Sequence, residues 1–157
     1  MAVLRSLLLL FVIFSLGNAQ RLKPARRCPR GWNRLGYRCF KYFSQSVQWA
    51  SAERLCQSLG ANLASVHDKE ENDFLLGLMP ASTRTWIGAH DGEQDGEWFW
   101  SDGSLFNYNN WCSEEPNNFD GPENCLEIDW TSDRCWNDAS CSTSMSYLCV
   151  LDVRVPR

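Results

Sequence analysis

Over residues 46–59 the apolar side chains Trp49, Ala52, Cys56 and Leu59 recur at steps of three, four and three, which puts them on one face of a helix. Gly60 follows as its C-terminal cap. Residues 63–66 read as a short extended piece. Asp68 then stands three positions before Glu71, an Asp variant of the capping-box spacing, and predicts the start of a second helix. That helix runs to about Met79, turns Phe74, Leu75 and Leu78 inward, and stops at Pro80. Ahead of both helices, residues 28–32 and 37–43 predict two short strands around a turn at Leu35-Gly36, a hairpin that a Cys28 to Cys39 bridge would clip. Beyond the helices the period changes to two. Residues 85–89 and 97–100, the latter closed by Asp102-Gly103, predict strands. Leu126, Ile128 and Trp130 alternate with Glu127 and Asp129, the mark of a strand with one covered face. Residues 147–151 predict a last, apolar strand.

Between the strands lies a stretch with no period at all, residues 106–121, rich in Asn, Pro, Gly and acids. Loops of that length inside a domain are usually functional or disordered. Trp111, Cys112 and Cys125 around this one favour order.

Composition adds the compartment. Residues 1–19 read as an export signal: Arg5 supplies the positive end, residues 7–16 an apolar run, and Gly17-Asn18-Ala19 a cleavage site. The run is shorter than the roughly 20 residues that span a bilayer, so the mature chain is expected to be secreted and soluble, without a membrane span. Losing Arg5 takes the 15 Lys+Arg to 14 against 19 Asp+Glu, a formal charge of −5, which argues against a nucleic-acid partner. Residues 20–27 form a short basic segment. Eight cysteines behind an export signal imply four disulfides, and the absence of any Cys-x-x-Cys pair argues against zinc. Eight Trp allow a core around the crosslinks, and Trp86, Trp98, Trp100 and Trp136 are expected inside it.

The candidate chemistry lies in and just after the long loop. Glu115, Glu123 and Asp138 supply carboxylates, and Asn117 and Asn137 supply amides, all within 24 positions. A Ca²⁺ ion takes about 6–8 oxygen ligands from such groups, backbone carbonyls and water. On composition alone the same run reads as a solvated acidic loop. The residue order decides between the two. Trp86-Ile87-Gly88, Glu115-Pro116-Asn117, Glu123-x-Cys125 and Trp136-Asn137-Asp138, followed by Cys141 and Cys149, resemble the C-type lectin domain over residues 28–151, with a short tail at 152–157.

The resemblance implies an α+β fold with two helices, two small antiparallel sheets and a long calcium loop. It implies the pairings Cys28-Cys39, Cys56-Cys149 and Cys125-Cys141, and leaves Cys112-Cys135 as an additional bridge like that of type II antifreeze proteins. It implies calcium ligands at Glu115, Asn117, Glu123, Asn137 and Asp138, with Glu115, Asn117, Glu123 and Asn137 also meeting the sugar. An auxiliary calcium site would use Asp91, Asp95 and Glu123, although Asn124 stands where a carboxylate is often found. The Glu-Pro-Asn order resembles the mannose-type motif, and Pro116 the family's cis proline. The implied function is a secreted, calcium-dependent, mannose-type lectin acting on glycans, microbial ones among them. The alternative is a type II antifreeze protein on the same loop. With His67 and His90 as the sole histidines and no nucleophile elbow or zinc-protease motif, no enzyme is expected. No coiled coil or collagen-like stalk is present, so a homo-oligomer would form by surface association.

Overall fold

The computed structural model describes residues 27–153. The expected export signal, the basic segment up to Arg26 and residues 154–157 lie outside them. Within them the strands are β1 (Asn33–Leu35), β2 (Arg38–Val47), β3 (Asn62–Leu63), β4 (Thr85–His90), β5 (Phe99–Trp100), β6 (Cys125–Ile128), β7 (Trp136–Ala139) and β8 (Met145–Asp152). The helices are α1 (Trp49–Ser58) and α2 (Lys69–Leu78).

Both helices end as their local chemistry dictates. Asp68 caps α2 by accepting the Glu71 N–H at 2.8 Å, and Glu71 reaches back at 2.8 Å to the N–H of His67, one residue before the cap, so the expected capping pair is made with its return bond displaced by one residue. At the far end of α1, Gly60 takes φ +71°, its N–H meets the Gln57 carbonyl and the Ala61 N–H meets the Cys56 carbonyl. This is the Schellman closure that a left-handed glycine permits. It also corrects the expected inward position of Leu59. The helix stops at Ser58, so Leu59 leaves the helical period and is 51% exposed. The first hairpin shifts too: it begins at Asn33 rather than in residues 28–32, turns through Gly36-Tyr37, and is clipped by Cys28–Cys39.

The strands run β1-β2-β8-β4-β6-β7, with β3 added to β8 and β5 to β4. Two antiparallel groups, β1-β2-β8-β3 and β5-β4-β6-β7, are joined by a short parallel contact in which Thr85 and Trp86 of β4 face Ser146 and Tyr147 of β8. The two expected sheets are therefore continuous, one mixed sheet rather than two. Alternation along its strands fills both faces. Ile87, Leu126, Leu148 and Val150 join the cluster that includes Leu75 of α2, whereas Trp86, Cys125, Tyr147 and Cys149 join the one that includes Ala52 and Cys56 of α1. Trp86, Trp100 and Trp136 are buried as expected, and Trp98 is half-buried against the same core.

The four disulfides pair Cys28–Cys39, Cys56–Cys149, Cys112–Cys135 and Cys125–Cys141, as the resemblance implied. One carboxylate acts as a further clamp. Glu53 of α1, 7% exposed, accepts from the Leu63 N–H, Asn62, Gln57 and Ser101, and so ties α1 to β3 and to the chain beyond β5. Close approach of β3 and β4 is possible because Gly88 has no side chain: a Cβ there would lie 2.7 Å from the Leu63 carbonyl oxygen.

Candidate functional site

The site is assembled on β7, and β7 is fixed by Trp136. This indole is fully buried, donates Nε1–H to Asn72 Oδ1 of α2 at 2.8 Å, and meets the rings of Trp100, Phe106, Tyr108 and Trp111 edge-on with centroids 5.7–6.3 Å apart. Asn137 and Asp138 follow it directly. Both ends of the long loop are stitched to the flanks of the same strand: Cys112 to Cys135 just before Trp136, and Cys125 to Cys141 just beyond Ala139. Backbone bonds reinforce the first stitch, since the Cys112 N–H meets the Trp136 carbonyl and the Trp136 N–H meets that of Asn110.

Between the stitches the backbone turns through positive φ at Glu114, Asn118, Asp120 and Gly121. The Glu115-Pro116 bond is cis. Asp138, fully buried, accepts the N–H of Asn117 at 3.1 Å and that of Asn118 at 2.8 Å. Glu123 accepts the Phe119 N–H at 2.8 Å, and its own N–H donates to Asn118 Oδ1. Asn137 donates Nδ2–H to Glu127 Oε1 at 2.8 Å.

Glu115, Glu123 and Asp138 thus converge, and Asn137 stands beside Asp138 on the same strand. Asn117 enters only through its main chain; its side chain is exposed. Among the described residues no three His, Cys, Asp or Glu side chains form a ready-made metal cage. The reason is visible in the bonds: Asp138 and Glu123 are turned toward loop N–H groups.

The charge arrangement nevertheless fits a cation. Burial pushes the Glu115 carboxyl up to about 7, and the neighbouring carboxylates add to the shift, Asp138 first and then Glu123 and Glu127. Glu115 Oε2 is buried with no donor near it. Two ionised carboxylates cannot bond to each other; a proton or a metal ion between them resolves the contact. Glu123 is pushed up as well, mainly by burial.

This raised value has a measurable consequence for the metal-free protein. The folded state binds a proton at Glu115 more tightly than the unfolded chain, whose value is near the ordinary 4.5. That contribution is therefore fully present below about pH 4.5 and is lost as pH rises through about 7. Urea unfolding in EDTA should show this decline, and Glu115→Gln should flatten it.

Asp91 is 3% exposed; its Oδ2 accepts the Gly96 N–H, while Oδ1 is buried without a partner. Burial pushes this carboxyl up too. It lines a cavity of about 450 Å³ with Asp95, Asn118 and Asn124. Glu123 is not part of that lining. A larger cavity, about 810 Å³, lies between the β1–β2 turn, the start of α2 and residues 102–104, and includes none of the loop carboxylates.

Sequence reasoning missed Glu127 and Asp129. Alternation placed them on a wet face, yet Glu127 is fully buried and Asp129 2% exposed. Arg84 holds Glu127 with two bonds of 2.6 and 2.7 Å, and Arg134 holds Asp129 at 2.6 Å. Burial pushes the Glu127 carboxyl up against the pull of Arg84 and Asn137. The one local signal in the sequence was Arg134, five positions beyond Asp129; the partner of Glu127 lies 43 positions away.

The sequence and the fold are similar to those of known proteins. The family model described as the Lectin C-type domain matches residues 45–151. Ladderlectin of Oncorhynchus mykiss is 48% identical over 122 residues, 75% of this chain and 64% of that protein, so the match spans under two-thirds of ladderlectin's length. The galactose-specific lectin nattectin of Thalassophryne nattereri is 40% identical over 147 residues, 89% of this chain and 91% of nattectin. The structure of herring type II antifreeze protein superposes with a TM-score of 0.76 at 34% identity, covering 81% of this chain and 100% of the other. The chain belongs to the C-type lectin domain family, a family of binding domains rather than enzymes.

Proposed function

We propose that this chain is a secreted calcium-dependent lectin of the mannose type. The observation that carries this reading is the buried, partnerless Glu115 oxygen set against the Asp138 carboxylate. The five residues Glu115, Asn117, Glu123, Asn137 and Asp138 would hold the ion, which supplies a positive centre able to accept two neighbouring sugar hydroxyls. Glu115 and Glu123 would accept hydrogen bonds from the hydroxyls, and Asn117 and Asn137 would donate hydrogen bonds to the hydroxyl oxygens. Bonds from a hydroxyl to an ionised carboxylate are charge-assisted and short. Asp91 and Asp95 are proposed as an auxiliary calcium site on the strength of the buried Oδ1 of Asp91.

Nattectin is named galactose-specific. The mannose assignment rests on the order of acceptor and donor across Glu115 and Asn117, and on its resemblance to the mannose-type motif. Microbial glycans are the expected partners, in innate recognition, and multivalency would come from surface association of copies.

Mannan-agarose tests the reading. The oxidised chain should be retained in calcium and released by EDTA or mannose but not by galactose. Glu115→Gln with Asn117→Asp should move release toward galactose. An unaltered preference in that double variant would sink the selectivity argument while leaving calcium binding intact.

Ice binding is the second reading, favoured by the Cys112–Cys135 bridge and the herring antifreeze superposition. Against it stands the charge of the loop, with Glu114, Asp120 and Glu123 around Phe119, where a flat and less charged face would suit ice. A freezing-point gap without sugar inhibition would reverse the order of the two.

A further inference from the structure

Glu127 lies directly across the β6–β7 ladder from Asn137. Its two oxygens take three donors: Arg84 Nε on Oε2, and Arg84 Nη2 together with Asn137 Nδ2 on Oε1. A carboxylate gripped in this way has only acceptors to offer, so the Asn137 amide can meet it with nitrogen alone. The nitrogen and oxygen of an amide lie in one plane, on opposite sides of the Cβ–Cγ bond. The bond to Glu127 therefore also decides where Oδ1 points, which is away from Glu127. One N–H is spent on the carboxylate; a second N–H and both lone pairs of Oδ1 remain.

We propose that Glu127, clamped by Arg84, is the positioning residue that selects the one orientation of the Asn137 amide in which Oδ1 is offered to calcium and the free N–H to a sugar hydroxyl. The inference rests on the calcium reading above. Without an acceptor-only partner, the amide of Asn137, 5% exposed, has two orientations of similar shape, and one of them presents N–H to the cation. The logic is that of outer partners in metal sites generally, which orient the ligand and tune its affinity.

Arg84 makes this arrangement tolerable. An unpaired carboxylate buried beside Asn137 would be costly, whereas a bidentate guanidinium satisfies both oxygens. Arg84 is 42% exposed and stacks over Trp130 at 4.5 Å, so its outer edge stays hydrated while its inner edge faces Glu127. The pair is thereby reached from the surface side of the sheet, and neither member belongs to the loop.

The test compares the wild type with Glu127→Gln and Arg84→Gln, each as the oxidised full chain. Calcium alone is the probe, titrated by calorimetry. The metal-free melting temperature and the Asn137 side-chain amide signal in ¹⁵N spectra are read alongside, because neither depends on bound metal. The isosteric glutamine can turn either nitrogen or oxygen toward Asn137, so Glu127→Gln should weaken calcium binding about tenfold and broaden or double the metal-free Asn137 signal. Arg84→Gln should weaken binding in the same direction by a smaller factor. If both folded variants bind calcium as the wild type does, with one sharp amide signal throughout, the positioning role is overturned and the calcium reading stands. A lowered melting temperature with unchanged affinity overturns it equally, since it shows a merely structural bond. If the wild type takes up no calcium, the calcium reading falls and this inference falls with it. Should Glu127→Gln fail to fold, Arg84→Gln decides alone.

Discussion

Asp138→Asn is expected to abolish calcium-dependent retention on mannan and to weaken calcium uptake by more than about a hundredfold, since removing even an outer partner of a ligand costs about 10–100-fold. Asp138 is fully buried and accepts two consecutive loop N–H groups. An amide at this position has one accepting oxygen instead of two, and its NH₂ would face an N–H that needs an acceptor. The change therefore takes away a full charge and loosens the turn carrying Asn117 in the same step. It also relieves Glu115 of the Asp138 charge, so the pH dependence of the metal-free protein should shrink, though less than in Glu115→Gln because burial is the larger cause. Calorimetry on the oxidised chain measures the first effect and urea unfolding in EDTA the second. Wild-type calcium affinity in Asp138→Asn would remove Asp138 from the ligand set.

The largest expected loss of stability follows replacement of Cys56 and Cys149 together by alanine. This bridge joins α1 to the middle of β8 across 93 positions, and both cysteines are fully buried. On the chain-entropy model a loop of that length is worth about 4–5 kcal/mol, compared with about 3 kcal/mol for the 11-position loop closed by Cys28 and Cys39. Total stabilities of domains are about 5–15 kcal/mol, so the Cys56/Cys149 variant should lose a large share of its margin and unfold at lower urea than the Cys28/Cys39 variant. Urea midpoints of the two double variants give the comparison. Equal losses would mean that loop length is not what sets the contribution of these bridges.

What could be read from the chain was local or came through the motif order. The capping box of Asp68 and Glu71 and the glycine closure of α1 involve residues within five positions of each other, and spacing is enough to see them. The four pairings came from resemblance, because on the order of a hundred pairings of eight cysteines exist. What escaped depends on partners far away in the chain. Glu127 is 43 positions from Arg84, and Thr83, which donates its N–H to Asp129, is 46 positions from it. A strand that alternates apolar and acidic residues looks half-wet until those partners are in place. Glu53 was passed over for the same reason, since Ser101, one of its donors, is 48 positions away. At the site, motif order brought Glu115, Glu123 and Asp138 to attention, but not the Arg84-Glu127 clamp behind Asn137.

The two stitches on β7 set the loop that carries Glu115, Asn117 and Glu123 apart from the strand that carries Asn137 and Asp138. Residues 113–124 hang between Cys112 and Cys125 like an interchangeable insert on a fixed pedestal. The aromatic nest around Trp136 is built without any of these residues. On the proposed reading, altering specificity would mean rewriting Glu115, Asn117 and Glu123 within this segment while Asn137 and Asp138 stay fixed on the pedestal.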